Sequence, residues 1–156
     1  IKVMGIGETS DAYHASTPNP DGEEAANAML QALHDAGMKP EEVDYINLHG
    51  TGTVANDTME ANAIYKVFGD RTPVSATKPL TGHCLGASAS IETAICYALL
   101  RNNSGFLPPH IYDGEYNPNI TKINLVSKGT RVNTVNNVMW NAFGFGGTNA
   151  VIILGK

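Results

Sequence analysis

Residues 43–57 read "VDYINLHGTGTVAND". Val43 to Leu48 is a short, mostly apolar run, which predicts a brief, largely buried strand. It breaks off at His49. Gly50, Thr51, Gly52 and Thr53 then supply two permissive backbone positions and two hydroxyls. Asp57, with Glu60 three residues on and Ala61, Ile64 and Val67 beyond, reads as a capping-box-like helix start. Strand, glycine turn and helix in that order make the repeating unit of an α/β protein.

The same reading extends in both directions. Upstream, residues 1 to about 13 read as a strand and "STPNPDG" (16–22) as a loop. Ala26, Met29, Leu30 and Leu33 fall at helical spacing from Glu23 to Ala36, and Gly37 then Pro40 end that helix. Downstream, Gly69 closes the second helix and "TPVSA" (72–76) is another short buried strand. "TGHCLGASASIETAICYALLRNN" (81–103) is the longest helical segment. Gly86, Ala87, Ser90 and Ala94 leave one side of it open to close approach, and Ile91, Ile95 and Leu99 form its apolar stripe for the core. A loop punctuated by Pro108, Pro109 and Pro118 leads to "KINLVS" (122–127), read as a brief strand. "VNNVMWNAFGFGGTNAVIILG" (135–155) predicts two antiparallel strands around a glycine-rich connection. The order β-α-β-α-β-α-β-β implies one α/β layered domain over residues 1–156, with a mixed sheet.

Composition narrows the function classes. The chain's 156 residues suffice for one cored domain. The net charge of −5 argues against nucleic acid or an acidic membrane surface as the main partner. No apolar run approaches the roughly 20 residues of a membrane span, and nothing resembles a signal peptide, so a cytoplasmic protein is expected. The two cysteines, Cys84 and Cys96, placed on one helix, would stand about 18 Å apart, beyond disulfide reach. Buried reduced thiols are expected. The opening "IKVMGIGETSD" begins directly in strand-like sequence, as a piece of a longer chain would.

Three segments share one design, in which a buried strand ends, a glycine turn follows and polar residues stand at the exit. They are His49–Thr53, Ser75–His83 and Phe143–Asn149. Strand ends of an α/β sheet are where ligands bind. Converging there, the three would enclose two imidazoles, the Lys78 amine and several backbone N–H groups. Neither phosphate-loop pattern occurs, since Lys78 precedes its glycine. A zinc site from His49, His83 and Cys84 is disfavoured, because adjacent residues at a helix start diverge by about 100°. A hydrogen-bonded core role for His49 and a surface position for Glu92 stand as the plainer alternatives. His83, placed in the first turn of the long helix, would be kept neutral by the helix dipole and could donate to a carbonyl oxygen gaining charge. Lys78 would oppose a second positive charge, with Glu92 as its counter-ion.

"HGTGT" (49–53), Asp57 and Glu60, "SATKPLTGH" (75–83) and "FGFGGTN" (143–149) in this order resemble the C-terminal half of a β-ketoacyl-acyl-carrier-protein synthase of the thiolase superfamily. "DAGMKPEEVDYINLHGTGT" resembles the family's approach to its first histidine. The resemblance covers essentially the whole chain. It implies a thiolase-like half, a mixed sheet between helices on both faces, and a decarboxylative Claisen condensation of malonyl carried on acyl carrier protein with an acyl-enzyme thioester. His49 and His83 match the histidines that assist decarboxylation, and Lys78 with Glu92 matches the pair that supports them. Thr51 and Thr53 match hydroxyls that hold the pantetheine arm. Phe145 matches the gate residue whose backbone N–H serves the oxyanion hole, and Phe143 its neighbour. No metal or bound cofactor is implied. The implied partners are acyl carrier protein, the N-terminal half of the same enzyme, and a second ketosynthase or ketosynthase-like subunit in a homodimer or heterodimer.

The departures are informative. The acyl-carrying cysteine belongs to the N-terminal half, and Cys84 falls on an unspecified position of the pattern, so this chain alone is expected to be inactive and to expose the apolar face that meets its other half. Ser88 and Ala89 replace an alanine and a glycine of the usual "GHxxGAAG", and Trp140 and Ala142 stand where serines are common. A non-condensing, chain-length-factor-type subunit is the alternative, but such subunits commonly lose the histidines that this chain keeps. A thiolase-like acyl-CoA enzyme would place a cysteine in the last glycine-rich loop, and "FGFGGTN" has none.

Overall fold

The computed structural model describes residues 1–102 and 104–156. Its strands are β1 (Lys2–Ser10), β2 (Tyr45–Asn47), β3 (Val74–Ser75), β4 (Asn137–Phe143) and β5 (Thr148–Gly155). Its helices are α1 (Glu23–Ala36), α2 (Val54–Phe68), α3 (Lys78–Thr81) and α4 (Ser88–Asn102), with 3₁₀ turns at Pro40–Glu42 and Leu85–Ala87. The strands form one sheet in the order β1-β5-β4-β2-β3. β1, β5 and β4 run antiparallel, whereas β4, β2 and β3 are parallel, which makes the sheet mixed as expected.

Alternation along the strands divides the interior in two. On β4, Met139 and Phe143 join the cluster built with α1 and α2, while Val138 and Trp140 join the cluster built with α4. On β2, Ile46 goes to the first and Tyr45 to the second. A period of two on a sheet covered on both faces requires this. α1 approaches the sheet closely because it presents Ala28, Ala32 and Ala36 to a strand that carries Gly5 and Gly7. Its predicted bounds hold, and Gly37 ends it at φ 64°, a left-handed conformation that glycine adopts without strain.

Three expectations fail locally. The segment 81–103 is not one helix. α3 is a single turn that stops at Gly82, residues 82–84 are irregular, and α4 begins only at Ser88. The expected end at Asn103 lies outside the described residues. The core face of α4 is Ser88, Glu92, Cys96, Leu99 and Leu100, one position away from the predicted stripe, and Ile91 and Ile95 are only half-buried. The polar anchor Glu92 turns that face inward, as shown below. "KINLVS" contributes only one bridge, Leu125 with Val74. Among the described residues, no helix is long and apolar enough to cross a membrane.

Candidate active site

β2 delivers His49 to the C-terminal end of the parallel strands, and a buried carboxylate fixes the turn that follows. Glu60 accepts the backbone N–H of His49 at 2.7 Å on Oε1 and that of Gly50 at 2.8 Å on Oε2. Asn141 Nδ2 adds a bond at 3.0 Å from β4, and Asn56 Nδ2 one at 3.4 Å. Burial pushes the Glu60 carboxyl up, and these donors pull against that shift. Gly50 sits at φ 42°, and a Cβ there would lie 2.4 Å from that of Ala76. The turn thus needs glycine both for its backbone angle and for its packing.

The capping-box reading of Asp57 and Glu60 is therefore corrected. α2 starts three residues earlier, at Val54, with Thr53 Oγ1 accepting the Asn56 N–H as N-cap. Glu60 faces inward from the second turn and grips the preceding loop. An acid three residues after an Asx is also what a capping box looks like, so the local pattern hides this role.

Lys78, expected on a loop, opens α3 and is buried. Its Nζ donates to the His49 carbonyl oxygen and to Glu92 Oε1. The side chains of the Lys78–Glu92 ion pair are only 5% and 2% exposed. Glu92 is thus an interior counter-ion, and its surface alternative is excluded. Burial raises its pKa, against the pull of Lys78.

His83 lies in the irregular stretch between α3 and α4, not in a helix, so a helix dipole is not what governs it. Local hydrogen bonds do. Leu85 adopts a left-handed backbone (φ 49°), uncommon for its type, and its N–H donates to His83 Nδ1 at 3.3 Å. Ser88 Oγ lies 3.1 Å from the same nitrogen. Nδ1 thus serves as the acceptor, which leaves Nε2 as the outward-facing donor of the ring. The rings of His49 and His83 meet edge-on with centroids 5.7 Å apart. Phe143 packs against His49 at 5.8 Å.

His49 is held neutral. Burial, then the Lys78 ammonium, then His83 lower its pKa from 6.5 to about 3. Such a group binds fewer protons in the folded than in the unfolded chain between those two values. Its contribution to stability is complete above pH 6.5 and is lost as pH falls toward 3. In the full-length protein, the acid-side loss should approach about 1.4 kcal/mol per pH unit from this residue alone. Urea unfolding at pH 7, 6 and 5 should show that extra slope in the parent and not in His49→Gln; parallel slopes would refute it.

Thr51 and Thr53 hydroxyls lie 2.9 Å apart, so Thr53 both caps α2 and partners Thr51. Phe145 is 81% exposed, and its N–H makes no hydrogen bond among the described residues. The glycine-rich connection is pinned by residues missed in the sequence: Asp11 N–H donates to Gly147 O at 2.8 Å, Gly146 N–H to Ala15 O at 2.8 Å, and Asn149 Nδ2 to Asp11 Oδ1 at 2.7 Å. Asp11 and Asn149 are 138 positions apart, and nothing local signals their pairing. Cys96 is buried as expected, its thiol pushed up to about 12 by burial and by Glu92. Cys84, expected buried and helical, is exposed and outside any helix. Among the described residues, no three His, Cys, Asp or Glu side chains gather as metal ligands.

Residues 1–112 match the family model of the beta-ketoacyl synthase C-terminal domain. The chain is 43% identical over 159 residues to 3-oxoacyl-[acyl-carrier-protein] synthase 2 of Coxiella burnetii, covering 99% of this chain and 37% of that one. It is 42% identical over 156 residues to 3-oxoacyl-[acyl-carrier-protein] synthase 1 of Escherichia coli K12, with 99% and 36% covered. Among solved structures it resembles a chain of the complex between a ketosynthase (ApeO) and its chain length factor (ApeC) from Xenorhabdus doucetiae. That match has a TM-score of 0.80 and 43% identity, and covers 98% of this chain and 38% of that one. The chain thus spans little more than a third of the length of these relatives.

Proposed function

Since the chain belongs to the beta-ketoacyl synthase family as a C-terminal domain, we propose that it supplies the decarboxylating half of a condensing active site. The substrate is a malonyl thioester on acyl carrier protein. The bond from its α-carbon to the carboxylate breaks, carbon dioxide leaves, and the electron pair forms an enolate whose oxygen turns anionic. The α-carbon then attacks an acyl thioester held on a cysteine of the rest of the protein, and that thiolate departs. His83 offers Nε2–H to the developing oxyanion, and the uncharged His49 stands beside it. Donors already in place stabilise that charge without reorganisation.

The meeting of the His83 ring with the uncharged His49 at 5.7 Å supports this reading most directly. Lys78 acts as a positioning residue through the His49 carbonyl and adds to burial in keeping His49 uncharged. In this reading Thr51 and Thr53 hold the pantetheine arm, Phe143 and Phe145 form the gate, and the Phe145 N–H serves the oxyanion. The partners are acyl carrier protein, the N-terminal half with its cysteine, and a second ketosynthase or chain-length-factor-type subunit. Val54, Leu80, Leu85 and Phe145, each more than 60% exposed, are the apolar surface that further protein would cover.

His83→Ala in the full-length protein should slow decarboxylation of malonyl-acyl carrier protein by about 10²-fold. Carbon dioxide release measures it, and unchanged turnover would remove the assignment.

A further inference from the structure

A cavity of about 280 Å³ lies behind the turn that carries His49. The backbones of Gly50 and Gly52 line it, whereas His49, His83, Lys78, Phe143 and Phe145 do not, so it is separate from the candidate active site. Buried Leu48, Ala76 and Ile123 line its deep part together with the Glu60 carboxyl, which is already engaged by the His49 and Gly50 N–H groups. Its more open lining carries Tyr112, Tyr116, Asp57 and Glu115.

The charge in this cavity has one sign. No lysine or arginine lines it, and neither Asp57 nor Glu115 has a cationic partner among the described residues. His110, also in the lining, accepts the Ala76 N–H on Nδ1 at 3.1 Å and is therefore neutral. Its ring lies 5.3 Å from that of Tyr112. An apolar interior that opens on tyrosine faces and unpaired carboxylates has the chemistry that recognises an ammonium group with a hydrocarbon body. An anion would meet two like charges there, and a neutral molecule would leave them unused.

We propose that this cavity binds a small amphipathic amine, its apolar body inside and its cationic head between Glu115, Asp57 and the tyrosines. Such a ligand would touch the main chain of Gly50, one residue from His49.

The test uses the full-length protein with two probes of equal size, 2-phenylethylamine, cationic at pH 7, and 2-phenylethanol, neutral. Saturation-transfer NMR titrations are expected to give saturable amine binding about tenfold tighter than that of the alcohol. Glu115→Gln should weaken the amine about threefold and leave the alcohol unchanged. Tyr112→Ala should weaken the amine by a similar factor of about three. Both side chains are exposed, so the variants should retain the parent circular dichroism spectrum. Equal affinity for both probes, no saturable amine binding, or amine binding indifferent to Glu115→Gln would each overturn the proposal.

Discussion

Glu92→Leu is expected to remove about 3–5 kcal/mol of unfolding free energy, because it leaves the Lys78 ammonium buried without a counter-ion. Neither side chain of the pair is more than 5% exposed, so water cannot substitute for the lost carboxylate. The double change Lys78→Met with Glu92→Leu should recover most of that loss, since two matched apolar groups carry no desolvation penalty. Activity should not recover with it, because the methionine cannot donate to the His49 carbonyl. Urea melts beside decarboxylation rates separate the two readouts in the full-length protein. A loss below about 1 kcal/mol in the single variant would mean that the pair behaves as a surface one.

Gly7→Ala is expected to cost about 3 kcal/mol. A Cβ at Gly7 would lie 1.9 Å from the Ala28 carbonyl oxygen and 2.8 Å from the Ala32 nitrogen of α1. Both are backbone atoms, so no rotamer relieves the overlap and the helix must lift from β1. Gly37→Ala provides the comparison: nothing stands within 4 Å of its added Cβ, and only the left-handed backbone opposes it. That should cost about 1 kcal/mol. Chemical denaturation of the two variants should place Gly7→Ala well above Gly37→Ala; the reverse order would show that α1 docks loosely.

The sequence by itself determined the order of the strands, the bounds of α1, the mixed sheet and the glycine turns that carry His49 and Phe145. These follow from signals within a few residues: helical periodicity from Glu23 to Ala36, a glycine where the backbone turns left-handed, and apolar runs too short for helices. Only the tertiary structure decided how those groups are held. His83 reads as the first turn of a long helix because no proline follows Gly82 in "TGHCLGASAS" and an isolated Gly86 is tolerated in a helical pattern, yet contacts from Leu85 and Ser88 hold it outside the helix. α4 buries Glu92 and leaves Ile95 half-buried, because an ion pair with Lys78, fourteen residues away, outweighs the apolar stripe in setting its face. Glu60 reads locally as a cap and serves instead as the anchor of the His49 turn, with Asn141 from 81 residues downstream. Local pattern fixes which backbone forms; desolvation and long-range hydrogen bonds decide which polar side chain is carried inside and which proton it keeps.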